Sequence, residues 1–185
     1  MSDASPDSQT DASLMAAVAD GDMDALGELV RRHQSSVLAT AYRLLGRWDQ
    51  AEDVAQEAFL RVHRAASTYV SSAAFTTWLY RIVTNLCLDV LRKRRTGPEP
   101  PAELSNGRAS RPGQGLERAE LASVVRRAVA GLPERQRIAV ILHRYAGLSH
   151  AQIAEATDWS PSAVESCLVR AYARLRKELA DLQDS

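Results

Sequence analysis

The chain has 185 residues, 45% of them apolar and 25% charged, enough for one ordinary domain or two small helical ones. Lys plus Arg and Asp plus Glu each total 23, so the net charge is zero. No stretch is long enough to span a bilayer and the polar N-terminus has no apolar leader core, so membrane insertion is excluded and a cytoplasmic protein is expected.

The zero total hides an uneven distribution. Residues 1–24 carry six Asp and no Lys or Arg, whereas residues 67–97 carry Arg81, Arg92, Lys93, Arg94 and Arg95 against Asp89 alone. Nucleic-acid binding is therefore compatible with a neutral chain. Ala, Leu, Arg and Glu dominate, aromatics are 5%, and no segment alternates apolar with polar, so the fold class is all-α.

Residues 1–12 are Ser/Asp-rich and aperiodic, which predicts disorder. Helical patterning starts near Leu14 and pauses at Asp20-Gly21-Asp22. It then runs through Leu26, Leu29, Val30, His33, Val37, Ala41, Leu44 and Leu45 at three-and-four spacing to a stop at Gly46. Asp49 and Glu52 read as an acidic variant of a capping box that opens a third helix, running to about Ala66. Its core face is Ala51, Val54, Ala55, Ala58 and Val62. This leaves Asp49, Glu52, Asp53, Gln56, Glu57, Leu60 and Arg61 more exposed.

A polar loop, 67–74, holds Tyr69, Ser71 and Ser72 and leads into a fourth helix from about Phe75 to Arg95. There Leu79, Ile82, Val83, Leu86 and Val90 face inward, while Trp78, Arg81, Asn85, Asp89 and Arg92 share another stripe, with Lys93 beside them. Aromatics, an amide and cations on one side suit single-stranded DNA, where stacking contributes ~1–3 kcal/mol per base and cations follow the backbone. Plain core packing explains Trp78 equally well.

Residues 96–117 change composition to Pro, Gly, Ser and Glu without apolar period, the signature of a flexible linker. Helical patterning resumes near Leu116 and continues to about Leu182, broken at Gly131-Leu132-Pro133, Gly147 and Thr157-Asp158. Ser149 with Gln152 forms a capping box, Thr157-Asp158-Trp159 a tight connection, and Ser160 an N-cap ahead of Pro161. Val164, Leu168, Ala171, Leu175 and Leu179 form the buried stripe of the last helix. Short helix, tight turn and capped second helix are the plan of a helix-turn-helix. Off the stripe lie Ser162, Glu165, Ser166, Val169 and Arg170 as candidate base readers, with Arg174 and Lys177 better placed for phosphates.

Two families share this last pattern, response-regulator output domains and bacterial sigma factors. Leu132-Pro-Glu-Arg-Gln-Arg, Gly147-Leu-Ser, Ile153-Ala, Ser162-Ala-Val, Arg170-Ala and Leu175-Arg resemble region four of sigma factors. Asp49-Gln-Ala-Glu-Asp-Val-Ala-Gln-Glu-Ala-Phe-Leu-Arg-Val resembles sigma region two-point-two, and the 75–95 segment resembles regions two-point-three and two-point-four. The N-terminal half thus favours a sigma factor, and the direct passage from region two to region four resembles the extracytoplasmic-function (ECF) subgroup.

The resemblance implies a region-two bundle over 13–95, a linker over 96–117 and a region-four helix-turn-helix over 118–182. It implies binding of core RNA polymerase through the beta-prime clamp and the beta flap. It also implies reading of duplex promoter DNA upstream, capture of the melted strand downstream, and an anti-sigma partner. No cofactor, metal or catalysis is expected, since the four histidines have no ligand spacing and no P-loop occurs. Glu165 and Cys167 stand where relatives often carry basic residues, so the upstream preference does not transfer. The competing reading is a helix-turn-helix regulator that is not a polymerase subunit. Cys87 and Cys167 read as small apolar thiols in a reducing compartment.

Overall fold

The computed structural model describes residues 10–70, 74–96 and 116–180. Among them every regular element is helical: α1 (Asp11–Ala19), α2 (Met23–Leu45), α3 (Trp48–Arg64), α4 (Phe75–Thr96), α5 (Leu116–Ala130), α6 (Glu134–Arg144), α7 (His150–Thr157) and α8 (Pro161–Ala180), plus one 3-10 turn at Ala66–Thr68. The two halves are α1–α4 and α5–α8.

Helix ends follow local chemistry. Thr10 caps α1, and Asp22 accepts from the Asp24 and Ala25 amides to start α2. Gly46 stops α2 at φ 73°, a left-handed position where only a residue without Cβ sits at no cost. The Ser149–Gln152 capping box forms with both reciprocal bonds, and the Ser160 hydroxyl accepts from the Ala163 amide. The third helix departs from the expectation. Its N-cap is Arg47, with no capping side chain. Asp49 instead holds the Arg47 guanidinium at 2.7 Å, and Glu52 accepts from the Trp48 indole at 2.9 Å. The Arg47 fork bonds both oxygens of the carboxylate at once, a two-pronged pairing that a single backbone amide cannot match.

Helix α1 begins at Asp11, inside the segment expected to be disordered. The Asp11 carboxylate reaches both His33, at 2.9 Å, and Arg32, at 3.4 Å, while Leu14, Met15 and Val18 are buried beneath it. At ~25 cal/mol per Å2 of apolar surface, each such side chain contributes roughly 1.5–3 kcal/mol, enough to hold a nine-residue helix that would melt alone.

The core of the first half is Leu29, Val37, Ala41, Val54, Ala58, Val62, Leu79 and Val83; that of the second is Ile138, Ile141, Leu142, Ile153, Val164, Leu168 and Ala171. Cys87 and Cys167 are buried free thiols. Burial pushes the Cys87 thiol up to about 12, so it stays protonated and unreactive in the folded chain. The halves are docked. Helix α7 packs on α4 and α6 on α2. Arg81 pairs with Asp158 at 3.0 Å, and the Arg43 guanidinium lies 4.3 Å from the centre of the Tyr145 ring.

Candidate functional site

Three surfaces collect the residues singled out from the sequence. The first is a groove between α2 and α3 of about 700 Å3, walled by Leu26, Val30 and Leu38 on one side and Ala55, Phe59 and Leu60 on the other. Leu26, Val30 and Ala55 fit the core periodicity, yet they are only half-buried because among the described residues no element covers this side. Glu52, Gln56 and His63 stand on its rim, and Leu60 is 48% exposed. Asp53 and Arg61 are exposed nearby, and Arg61 donates to Glu57 at 2.8 Å. The Arg47 bond lowers the Asp49 carboxyl and the Arg61 bond lowers that of Glu57, so both keep their charge into mild acid. An apolar groove with one carboxylate, Glu52, on a polar rim suits an amphipathic partner helix.

The second surface is the start of α4. Trp78 and Phe75 form an aromatic cluster with Tyr69 and His33: Tyr69 lies 5.0 Å from Trp78 and 6.3 Å from Phe75 between ring centres, and His33 lies 5.3 Å from Phe75. Phe75 is buried, whereas Trp78 and Tyr69 are half-buried. Tyr69 therefore does not wave in a polar loop. It packs at the cluster's edge against the Trp78 and Phe75 rings. Ser71 and Ser72 lie outside the described residues. Along α4, Asn85, Arg92 and Lys93 are exposed, Arg92 pairing with Asp89 at 3.2 Å, while Arg81 is engaged by Asp158 from the other half. The stripe expected to meet DNA thus begins under a rigid aromatic platform and passes a point where the second half already touches it.

The third surface is the helix-turn-helix. Asp158 adopts the left-handed conformation, φ 55°, and turns α7 into α8. Ile153, Val164 and Leu168 pack the angle shut, leaving Ser162, Glu165, Ser166, Val169, Arg170 and Arg174 exposed on one face of α8. Val169, 63% exposed, is a large apolar side chain on the surface, as a thymine-methyl contact requires. Arg170 folds back along α8, its Nε donating to the Ser166 carbonyl at 3.0 Å.

Sequence reasoning missed Arg135. Its guanidinium stacks 4.7 Å from the Trp159 ring centre, and together with Ser160, Ser162, Ser166 and Arg170 it lines a cleft at the start of α8. Two guanidinium groups and three hydroxyls beside a helix N-terminus have the chemistry to hold a phosphate. The available signal was the pairing of a cation and an aromatic across the helix-turn-helix, which only the fold brings together.

Among the described residues no group of three His, Cys, Asp or Glu side chains could hold a metal ion. No helix there is long and apolar enough to cross a membrane.

The family model for Sigma-70 region 2 matches residues 29–96, and that for Sigma-70 region 4 matches 122–175. The chain is 38% identical over 175 residues to ECF RNA polymerase sigma factor SigM of Mycobacterium tuberculosis, covering 94% of this chain and 87% of that protein. Its fold is similar to that of CnrH, solved with the cytosolic domain of CnrY (TM-score 0.72, 26% identity, 94% of this chain and 99% of that one). It is also similar in fold to the Bartonella quintana sigma factor RpoE, solved with the anti-sigma factor NepR (TM-score 0.72, 22% identity, 83% and 96%).

Proposed function

Because the chain belongs to the sigma-70 family, in its extracytoplasmic-function branch, we propose that it binds core RNA polymerase, directs it to particular promoters and promotes their opening. One observation carries this reading. A single chain presents an apolar groove with a polar rim, an aromatic and cationic helix, and a capped helix-turn-helix with its outer face clear. A regulator that only bound duplex DNA would require the last of these alone.

In this mechanism the α2–α3 groove and its rim, with Asp49, Glu52, Asp53, Gln56, Glu57, Leu60 and Arg61, take the beta-prime clamp. The α8 face, with Ser162, Glu165, Ser166, Val169, Arg170 and Arg174, reads the upstream duplex, and Arg135 joins it at a phosphate. Tyr69, Ser71, Ser72, Trp78, Arg81, Asn85, Arg92 and Lys93 hold the melted strand. Capturing an unstacked base offsets part of the few kcal/mol that unstacking costs, which shifts the equilibrium toward the open promoter. Region two then spans 13–95, the linker 96–117 and region four 118–182. The protein works in the cytoplasm without catalysis of its own, and an anti-sigma partner holds it inactive, as the fold it shares with partner-bound CnrH suggests.

Run-off transcription with core polymerase on genomic fragments tests the proposal. Start sites sharing one upstream and one downstream element are expected. DNA binding without polymerase-dependent initiation would instead identify a conventional regulator.

A further inference from the structure

The place of Trp159, in the turn between α7 and α8, is set by the backbone. Asp158 turns the chain at φ 55°, the Trp159 amide donates to the Ala154 carbonyl at 3.2 Å, and Ser160 then caps α8. The indole is thereby held half-buried against the core of the second half. Arg135, exposed in the first turn of α6, lays its guanidinium over that ring, 4.7 Å from its centre. The cleft it lines is the one it shares with Ser160, Ser162, Ser166 and Arg170. The turn is already closed by the backbone bonds and by burial of Ile153, Val164 and Leu168, so an exposed cation adds little to closing it. Stacking on a ring occupies the face of a guanidinium, whereas phosphate oxygens bond to its N–H edge. The two uses are compatible, and the first prepares the second. A long side chain on an exposed helix loses rotamer freedom when it grips a ligand, and the loss is smaller if a neighbour has already restricted it.

We propose that Trp159 is a positioning residue for duplex binding: it holds Arg135 beside the cleft, so that Arg135 and Arg170 meet the DNA backbone with one cation already oriented. Trp159 acts through Arg135 and touches no base. It therefore sets affinity without setting sequence preference, which is left to the outer face of α8. The inference deepens the reading of α8 as a duplex reader and rests on it.

Equilibrium binding of the full chain to a short labelled duplex, measured across a salt series, tests it. The duplex is selected from a random pool by the parent chain, so this result and that of the run-off assay are independent. Arg135→Gln should weaken binding about tenfold on the selected duplex and equally on a scrambled one. It should also flatten the plot of log affinity against log salt by about 0.9, the loss of one phosphate contact. Trp159→Leu should cost about threefold in the parent and nothing further beside Arg135→Gln, while Trp159→Phe restores part of the binding. Fluorinated tryptophan placed at 159 keeps the ring's shape but weakens its negative face. Binding should fall in step with fluorine content, and this arm stands even if Trp159→Leu unfolds. An unchanged salt slope in Arg135→Gln overturns the proposal. So does a loss confined to the selected sequence, which would make Arg135 a base reader. So does a Trp159→Leu loss of equal size with and without Arg135, which would mean a merely structural indole. A pool that enriches no sequence overturns it together with the duplex-reading role of α8.

Discussion

The two helices proposed to meet DNA are built alike and presented differently. On α8 the candidate readers all stand clear of the fold, on a helix whose other side is packed shut by Val164, Leu168, Ala171 and Leu175. On α4 the corresponding stripe starts in a half-buried aromatic cluster and has one cation, Arg81, committed to Asp158 of the opposite half. A duplex reader needs only a convex face that fits a groove. A strand trap needs rigid aromatics, which means packing them, and a packed aromatic is by construction half unavailable. That contrast explains why α8 looks ready for its ligand while α4 is partly engaged within the protein.

The contrast can be broken or sharpened by substitution. The largest effect is expected outside both helices. Leu60→Asp puts a carboxylate on the groove wall and should weaken core-polymerase binding more than about thirtyfold, the loss of roughly 2 kcal/mol typical of a central apolar contact, without changing the melting temperature. Fluorescence anisotropy with labelled protein reads it; unchanged affinity would remove the groove from the polymerase interface. Arg170→Ala should cost about 1–3 kcal/mol in upstream-element binding and leave core binding intact. Equal loss of both would refute the division of labour.

Tyr69→Ala should slow opening, followed by permanganate reactivity of unpaired thymines, about tenfold while closed-complex formation is kept. If Tyr69 serves only the aromatic cluster, Tyr69→Phe and Tyr69→Ala will differ in thermal stability and not in opening. The smallest effect belongs to the contact between halves. Asp158→Asn removes an ion pair whose partners are both substantially exposed, worth at most about 1 kcal/mol after solvent screening. It should widen the distance distribution between dyes on the two halves slightly, and more weakly at high salt, where the parent pair is already screened.

What could be read from sequence divides along the same physical line. Gly46, Ser149 and Pro161 announced helix ends because capping is settled within four residues, and all three stand where expected. The docking of the halves could not be read. Arg81 and Asp158 are separated by 77 positions, and neither breaks a periodic pattern. Nor did periodicity separate Leu26, Val30 and Ala55 from true core residues. It reports that a face is apolar, while what covers that face depends on tertiary neighbours or on a partner. Asp49 failed as a cap for a similar reason: the motif shows what a carboxylate can bond to but is silent on a competitor two residues earlier.

Asp158 also constrains which residues its own position can accept. The turn fixes φ at 55°, which disfavours β-branched side chains and tolerates asparagine, aspartate and glycine. The contact to Arg81 adds a preference for an acceptor oxygen that reaches across the seam. Asparagine satisfies both conditions without the charge, glycine satisfies the backbone alone, and glutamate keeps the charge while straining the turn. A saturation library at this one codon would therefore sort into tiers, and the gap between asparagine and glycine would measure the seam separately from the helix-turn-helix.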